Sequence, residues 1–271
     1  YSFFNKNYNN KLDNNIINLE LEKSDQKTSD IKIFFKTNDN NINTKEFKKY
    51  LNLKDSIVED QIINLNSDFK INFTIDDKFK IKNLDLQSDL NFDNLKVNYK
   101  SNSIKKYLKN YEDKVTIKNS KLSFVYSNDL LNLQLNGKYL LNDKKDNFFI
   151  KINGKKNNFQ VYSLLDLDNA VLNFSEIQYY KEKNISSKLE IIINNLNKNF
   201  NLKNINFTEN KNNILIRNLN ISENFKIKTL DELDVNILNK NKVLNKFKIK
   251  RNSNNYNFTG LQIDGEKLVE I

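Results

Sequence analysis

Between residues 67 and 92 the chain reads SDFKINFTIDDKFKIKNLDLQSDLNF, with its apolar side chains at nearly every second position. Phe69, Ile71, Phe73 and Ile75 alternate with Lys70, Asn72 and Thr74. A β-strand sends successive side chains to opposite faces, so a period of two places the first set on one face of a sheet and the second on the other. The alternation returns at Phe79 and Ile81, Leu84 and Leu86, Leu90 and Phe92, and Leu95, Val97 and Tyr99. It continues at Val115 and Ile117, Leu122, Phe124 and Tyr126, Leu131, Leu133 and Leu135, and Phe159 and Val161. Beyond these come Leu189, Ile191 and Ile193, Ile205 and Phe207, Ile214 and Ile216, Phe225 and Ile227, Leu233, Val235 and Ile237, Phe247 and Ile249, and Tyr256 and Phe258.

The breaks between these runs are Asn/Asp/Lys clusters: Asp76-Asp77, Ser127-Asn128-Asp129, Asn142 to Asp146 and Asn153 to Asn157. Asn and Asp tolerate the left-handed backbone that tight hairpins need, so here they replace most of the missing Gly and all of the missing Pro. Short turns between half-buried strands predict an antiparallel meander. Helices are few. Ile104, Tyr107, Leu108 and Tyr111 recur at i, i+3, i+4 and i+7 behind Ser103, predicting a short amphipathic helix over 104–112 that either plugs the rim of the sheet or packs as a crossover. Thr44 predicts a cap for a helix over 45–52, and a third helix starts after Asp264. The Asn-rich stretches 5–18 and 36–43 read as loops, no repeat has a fixed period, and residues 1–271 read as a single continuous unit.

The apolar face sets the main physical question. Roughly fifteen strands with about three apolar side chains each, at about 2 kcal/mol per buried side chain, amount to on the order of 90 kcal/mol if taken out of water. Two or three short helices cannot cover that face, so it must meet a second sheet, close on itself, or meet apolar material that is not protein. Three architectures satisfy this: a β-sandwich or closed barrel with a dry core, an outer-membrane barrel, and a long curled sheet open along one side. An outer-membrane barrel calls for strands of about ten residues with aromatic girdles, which the pattern lacks.

Composition changes the picture little. The chain has a net charge of +10, but its richness in Asn, Lys, Ile and Phe, with no Pro, Cys, Met, Trp or His, follows AT-rich codon usage. Lys is dispersed over the polar parity of strands and Arg occurs twice, at Arg217 and Arg251, which argues against a nucleic-acid surface. No apolar run reaches the roughly 18 residues that span a bilayer. The start, YSFFNKNYNN, has no leader pattern, and a chain without Met that begins at Tyr1 reads as an internal piece of a longer protein. Without His or Cys the usual base and nucleophile pairs are missing, no Ser lies in a G-x-S-x-G elbow, and no enzymatic role or cofactor is expected. Asp76 with Asp77, Asp166 with Asp168, and Asp231, Glu232 and Asp234 are the remaining carboxylate groupings. Turn geometry accounts for Asp76-Asp77, and the solvated strand parity for Asp166 and Asp168. Asp166-Leu-Asp168 opens like a calcium loop, but its twelfth position is Ile177, so no metal site is expected.

The run SNSIKKYLKNYEDKVTIKNSKLSFVYSNDLLNLQLNGKYL, the Leu-Asp-Leu alternations at 84–86 and 165–168, and the close YNFTGLQIDGEKLVEI resemble the AsmA-like family of Gram-negative bacteria, the group that includes TamB and YhdP. Family members use more Gly and Ala than this chain does. The resemblance implies a mainly β fold: a long curled antiparallel sheet forming an open, apolar-lined groove, with two or three short helices. It further implies lipid transport, with phospholipid acyl chains carried between the inner and outer membrane in outer-membrane biogenesis. The protein would be periplasmic and anchored to the inner membrane through a segment outside this chain. Its partners would be the acyl chains and the membranes at either end of the full-length protein, with no nucleic acid. The lipid-contacting residues would then be Phe69, Ile71, Phe73, Ile75, Leu122, Phe124, Leu131, Leu133, Leu189, Ile191, Leu233 and Val235. The alternative is a structural or adhesive surface β-sandwich with a dry core.

Overall fold

A computed structural model describes residues 6–12, 15–23, 28–45, 58–141, 143–155, 158–196, 199–222, 227–253, 255–262 and 264. The protein is mainly β, and every strand pair with a defined register is antiparallel. It divides into two compact units, each drawn from several stretches of chain. The expected helices over 45–52 and beyond Asp264 lie outside the described residues, apart from Thr44, Lys45 and Asp264.

The first unit comprises residues 1–98, 116–137 and 151–156. Its strands β1 (Lys6–Leu12), β2 (Asn15–Lys23), β3 (Thr28–Asn43), β4 (Ile62–Asp76) and β5 (Ile81–Phe92) pair in sequence. After the short β6 (Leu95–Asn98), β7 (Lys114–Ser127) pairs with β5, and the first part of β8 (Leu130–Leu141) follows. The stretches 5–18 and 36–43, expected as loops, are instead mostly strand. Asn is a poor strand former by preference, but on the solvent side of a ladder its side chain costs little and the main chain pairs normally, as in Asn41 opposite Asn64.

The turn after Asp76 forms as expected: the Asp76 carboxylate accepts the N–H groups of Lys78 and Lys80 at 3.0 and 2.9 Å. Phe79 is not part of the following strand. It sits in the turn with φ 57° and is almost fully exposed. Several runs that look separate are single strands whose parity switches once. Asp39, Asn83, Asn119 and Asn218 take positive φ where the apolar positions change from odd to even or back, as between Ile117 and Leu122 in β7. One residue in the left-handed region inserts an extra step in the ladder, and Asn supplies it at low steric cost.

The second unit comprises residues 99–115, 138–150 and 157–271. Beside the end of β8 and the start of β9 (Lys144–Lys155), it contains a run of antiparallel neighbours: β10 (Asn158–Asp166), β13 (Ser187–Leu196), β14 (Asn199–Glu209), β15 (Asn212–Ile221), β17 (Glu232–Leu238), β18 (Leu244–Asn252) and β19 (Asn255–Gln262). The three-residue β16 (Ile227–Thr229) pairs with the end of β15. Of the turn expected at 153–157, residues 153–155 are instead strand, because β9 runs on to Lys155 through Gly154, and the rest lies outside the described residues.

Between β10 and β13 the chain leaves the sheet and folds a small cap: a hairpin of β11 (Leu172–Phe174) and β12 (Tyr179–Lys181) around one 3-10 turn at Ser175–Ile177. The helix α1 spans Asn102–Tyr107, shorter and earlier than the expected 104–112. Ser101 is its cap, with its hydroxyl accepting the Ile104 N–H at 3.2 Å. It stops because Leu108 bridges to Leu172 and the Lys109 N–H binds the Val171 carbonyl, so β pairing ends the helical ladder.

Candidate functional site

Ladder register decides which apolar side chains meet. In the first unit Phe69 lies opposite Phe35 on one side and Ser88 on the other, while Ile71 lies between Ile33 and Leu86. Ser88 in turn faces Phe124, and Leu90 faces Leu122. Because Ser88 is small, the rings of Phe69 and Phe124 reach across it and meet edge-on at 5.9 Å. Four small polar residues on this apolar parity, Thr37, Ser67, Ser88 and Ser120, are buried beneath their larger neighbours. Thr37 and Ser67 share a hydroxyl–hydroxyl bond of 2.9 Å. A Cβ on Gly137 would run into the Ser120 side chain, so Leu131 and Leu133, at the same parity of β8 as Gly137, stand on the same face as Leu122 and Phe124. Phe69, Ile71, Phe73, Ile75, Leu122, Phe124, Leu131 and Leu133 are all half-buried, while Lys70 and Asn72 on the other parity are exposed.

The second unit lays out the same parity in continuous rows. One row reads Leu165, Leu189, Phe207, Ile214, Val235 and Phe247 across six strands, ending at Gly260. The next reads Ser163, Ile191, Ile205, Ile216, Leu233, Ile249 and Phe258. Phe207, Val235 and Phe247 of the first row are covered by the cap. Leu167, Ala170, Leu172 and Tyr179 are buried against Phe207, Val235, Ile237 and Phe247, with Val235 2% exposed and Ile237 fully buried. The second row is more open: Leu233 and Ile249 pack against the edge of that core, Ile191, Ile205 and Ile216 are half-buried, and Phe258 is 55% exposed. Val235, expected beside an acyl chain, therefore belongs to a protein core, because residues 167–181 fold back over its row. Leu189 and Leu233 border that core.

Polar groups bind the cap in place. The Lys181 ammonium is fully buried and donates to the carbonyls of Asp168, Ala170 and Glu182 at 3.1, 2.9 and 3.1 Å. Burial lowers its pKa below the usual lysine range, against the pull of Glu209, Asp146 and Asp168. Tyr179 donates its hydroxyl to the buried Glu209 carboxylate. Burial first, and the Glu209 charge second, push that phenol well above its ordinary value. Burial also raises Asp146, whose carboxylate accepts the main-chain and side-chain N–H groups of Asn169 at 3.0 and 2.7 Å. Gln178, in the left-handed region, binds Asn241 and Asp264, and Asp264 also takes a hydrogen bond from Asn239. On the helix side, Tyr107 packs on Phe174 at 5.6 Å and Lys106 pairs with Glu176. The helix thus serves as part of the cap at one end of the row.

The carboxylate groupings have structural partners. Asp168 accepts the Ser187 N–H, Asp166 pairs with Asn147, and Asp234 with Lys248. No group of three or more acidic residues is placed to hold a metal ion among the described residues, and none of their helices is long and apolar enough to cross a membrane. Sequence reasoning missed the cap. Its signals were weak: the chain's one Ala, at position 170, and a break in the alternation from 167 to 187. Neither a family model, nor a characterised protein, nor a solved structure matches the chain.

Proposed function

We propose that the chain is a segment of an AsmA-like lipid-transfer protein, in which the sheet curls into an open groove and the apolar rows hold phospholipid acyl chains. In this reading the parent protein works in the periplasm, is anchored to the inner membrane by a segment outside this chain, and carries lipid towards the outer membrane. The observation that supports it best is the register of the apolar parity. Rows such as Ile33–Ile71–Leu86 and Ile191–Ile205–Ile216–Leu233–Ile249 run unbroken across neighbouring strands, yet stay half-buried among the described residues. Apolar area of that extent normally ends up against another surface.

One observation favours the second reading, a structural or adhesive β-protein with a dry core: the cap already makes such a core over the Phe207–Val235–Phe247 row. A photo-crosslinking residue placed in turn at Ile71 and Asn72 separates the two. Lipid adducts from position 71 and not from 72 are expected. Ile71→Asp should leave the fold intact, since in an open groove the carboxylate faces the groove and reaches water once lipid is gone, while removing co-purified lipid. Global unfolding of Ile71→Asp, with no lipid at either position, would sink the proposal in favour of the dry core.

A further inference from the structure

At the end of the strands away from the cap, the second unit has an open depression of about 570 Å3 lined by Arg217, Asn218, Asp231, Glu232, Lys250, Arg251 and Ser253. Arg217 and Arg251 are the only arginines in a chain with 44 basic residues, so this single depression contains both while the other 42 are lysines. For the ion pairs seen there, lysine would serve as well. Arg217 Nη1 meets the buried Glu232 carboxylate at Oε1 at 3.1 Å, a single contact that an ammonium could also make, and Arg251 approaches Asp231 only to 3.9 Å, an exposed pair that stabilises little whichever cation makes it. What lysine cannot replace is the guanidinium fork, whose paired N–H groups match two oxygens of a carboxylate or phosphate. Each arginine has one edge engaged, Arg217 with Glu232 and Arg251 with the Ser253 carbonyl at 2.9 Å. Neither guanidinium has a further hydrogen-bonded partner among the described residues.

The charge balance suits an anion: Arg217, Lys250 and Arg251 stand against Asp231 and Glu232. Lys248, shared between Asp234 at 2.7 Å and Glu232 at 3.1 Å, adds to the local positive charge, and, against the upward push of burial, Lys248 and Arg217 hold the Glu232 carboxyl below its ordinary value. Register places the depression at the rim of the apolar face. Arg251 lies two residues beyond Ile249 on β18 and so one row further along the same face, while Arg217, Glu232 and Lys250 form a row on the polar face. The depression therefore wraps the strand ends where the more open of the two apolar rows stops.

We propose that this depression is a binding site for a phosphate ester, read by the two guanidinium groups with Lys250 adding charge. If the acyl-chain reading above holds, the ester belongs to a lipid headgroup whose tails lie along the Ile216–Leu233–Ile249 row; if that reading fails, a soluble phosphate ester fits the same chemistry. The test uses the whole chain and phosphorus NMR titration with inorganic phosphate, glycerol 3-phosphate and dispersed phosphatidylglycerol, at constant ionic strength. Saturable line broadening is expected with at least one probe. It should weaken tenfold or more in the R217K/R251K double variant, which keeps both charges and both ion pairs. Ile249→Asp sorts the source: loss of phosphatidylglycerol binding with glycerol 3-phosphate unaffected assigns a headgroup, and equal binding of the two esters in both proteins assigns a soluble one. Absence of saturable binding in the natural chain, or equal binding by R217K/R251K, overturns the site whatever position 71 crosslinks to.

Discussion

Replacing Tyr179 by Phe removes one hydroxyl from the cap and leaves its ring in place between Phe174, stacked at 5.8 Å, and Phe207, edge-on at 6.0 Å. Packing is thus preserved, and the loss is the hydrogen bond to Glu209. A bond to a charged acceptor contributes about 1.5–3 kcal/mol, because the abandoned carboxylate must stay desolvated. Asn212 still donates to the same Glu209 oxygen at 3.0 Å, so the cost should fall at the low end, about 1.5 kcal/mol. Tyr179→Ala, which also empties the site of the ring, should cost about 3–5 kcal/mol.

Alkaline pH tests the same contact. Burial raises Tyr179 and Tyr139 above the unfolded phenol value of 10.0, so their contribution is complete below pH 10 and is lost as pH climbs through the folded values. Each should give a slope of about 1.4 kcal/mol per pH unit above pH 10, and Tyr179→Phe should remove its own share. Lys181 acts the other way. Its folded pKa lies below 10.5, so its contribution improves as pH rises to that value and is flat beyond it. Urea unfolding followed by near-ultraviolet circular dichroism at pH 8, 10 and 11 measures all of this. A Tyr179→Phe protein within about 0.5 kcal/mol of the natural one, with an unchanged alkaline slope, would refute the assignment of this bond as the anchor of the cap.

Val235→Ala, in the covered row, should lose about 2–3 kcal/mol in urea unfolding, whereas Ile249→Ala, one row away and half-buried, should lose about 1 kcal/mol; equal losses would mean that the cap does not shield its row. In Gly137→Ala the new Cβ would lie 2.0 Å from the Ser120 hydroxyl oxygen and 2.9 Å from its Cβ, so a lowered melting temperature is expected. Adding Ser120→Gly should restore most of it, and a failure to do so would place the strain elsewhere. Hydrogen bonds from the Lys80 and Lys78 N–H groups and from Lys82 hold Asp76 below its ordinary pKa, so its contribution is present above pH 3.8 and fades as pH falls through the lower folded value. Asp76→Asn should accordingly melt earlier than the natural protein at pH 6, with the gap narrowing as pH falls below 3.8.

Where the sequence misled, the reason was local chemistry judged without its partners. Residues 36–43 looked like a loop because Asn is usually a turn residue, yet β3 pairs through them with β4. The same residue type, used in the left-handed conformation at Asn83, Asn119 and Asn218, joined runs that had looked like separate strands. Ser103 offered a good cap, but the helix took Ser101 and ended at Leu108, where a distant strand residue, Leu172, claimed the main chain.

Within each strand, alternation alone established which side chains share a face, because side-chain direction follows from the pleat and needs no other part of the chain. That is why Phe69, Ile71, Phe73 and Ile75 stand together with Lys70 and Asn72 opposite. Alternation does not distinguish Val235 from Leu233: both are apolar, at the same parity, on one strand. Only the fold separates them, since covering one row required residues 167–181 to turn back over the sheet. Their hold there depends on Gln178 reaching Asn241 and Asp264, and on Tyr179 reaching Glu209. Such contacts join positions tens of residues apart, and their formation rests on loop closure and burial together, which no local period in the sequence records.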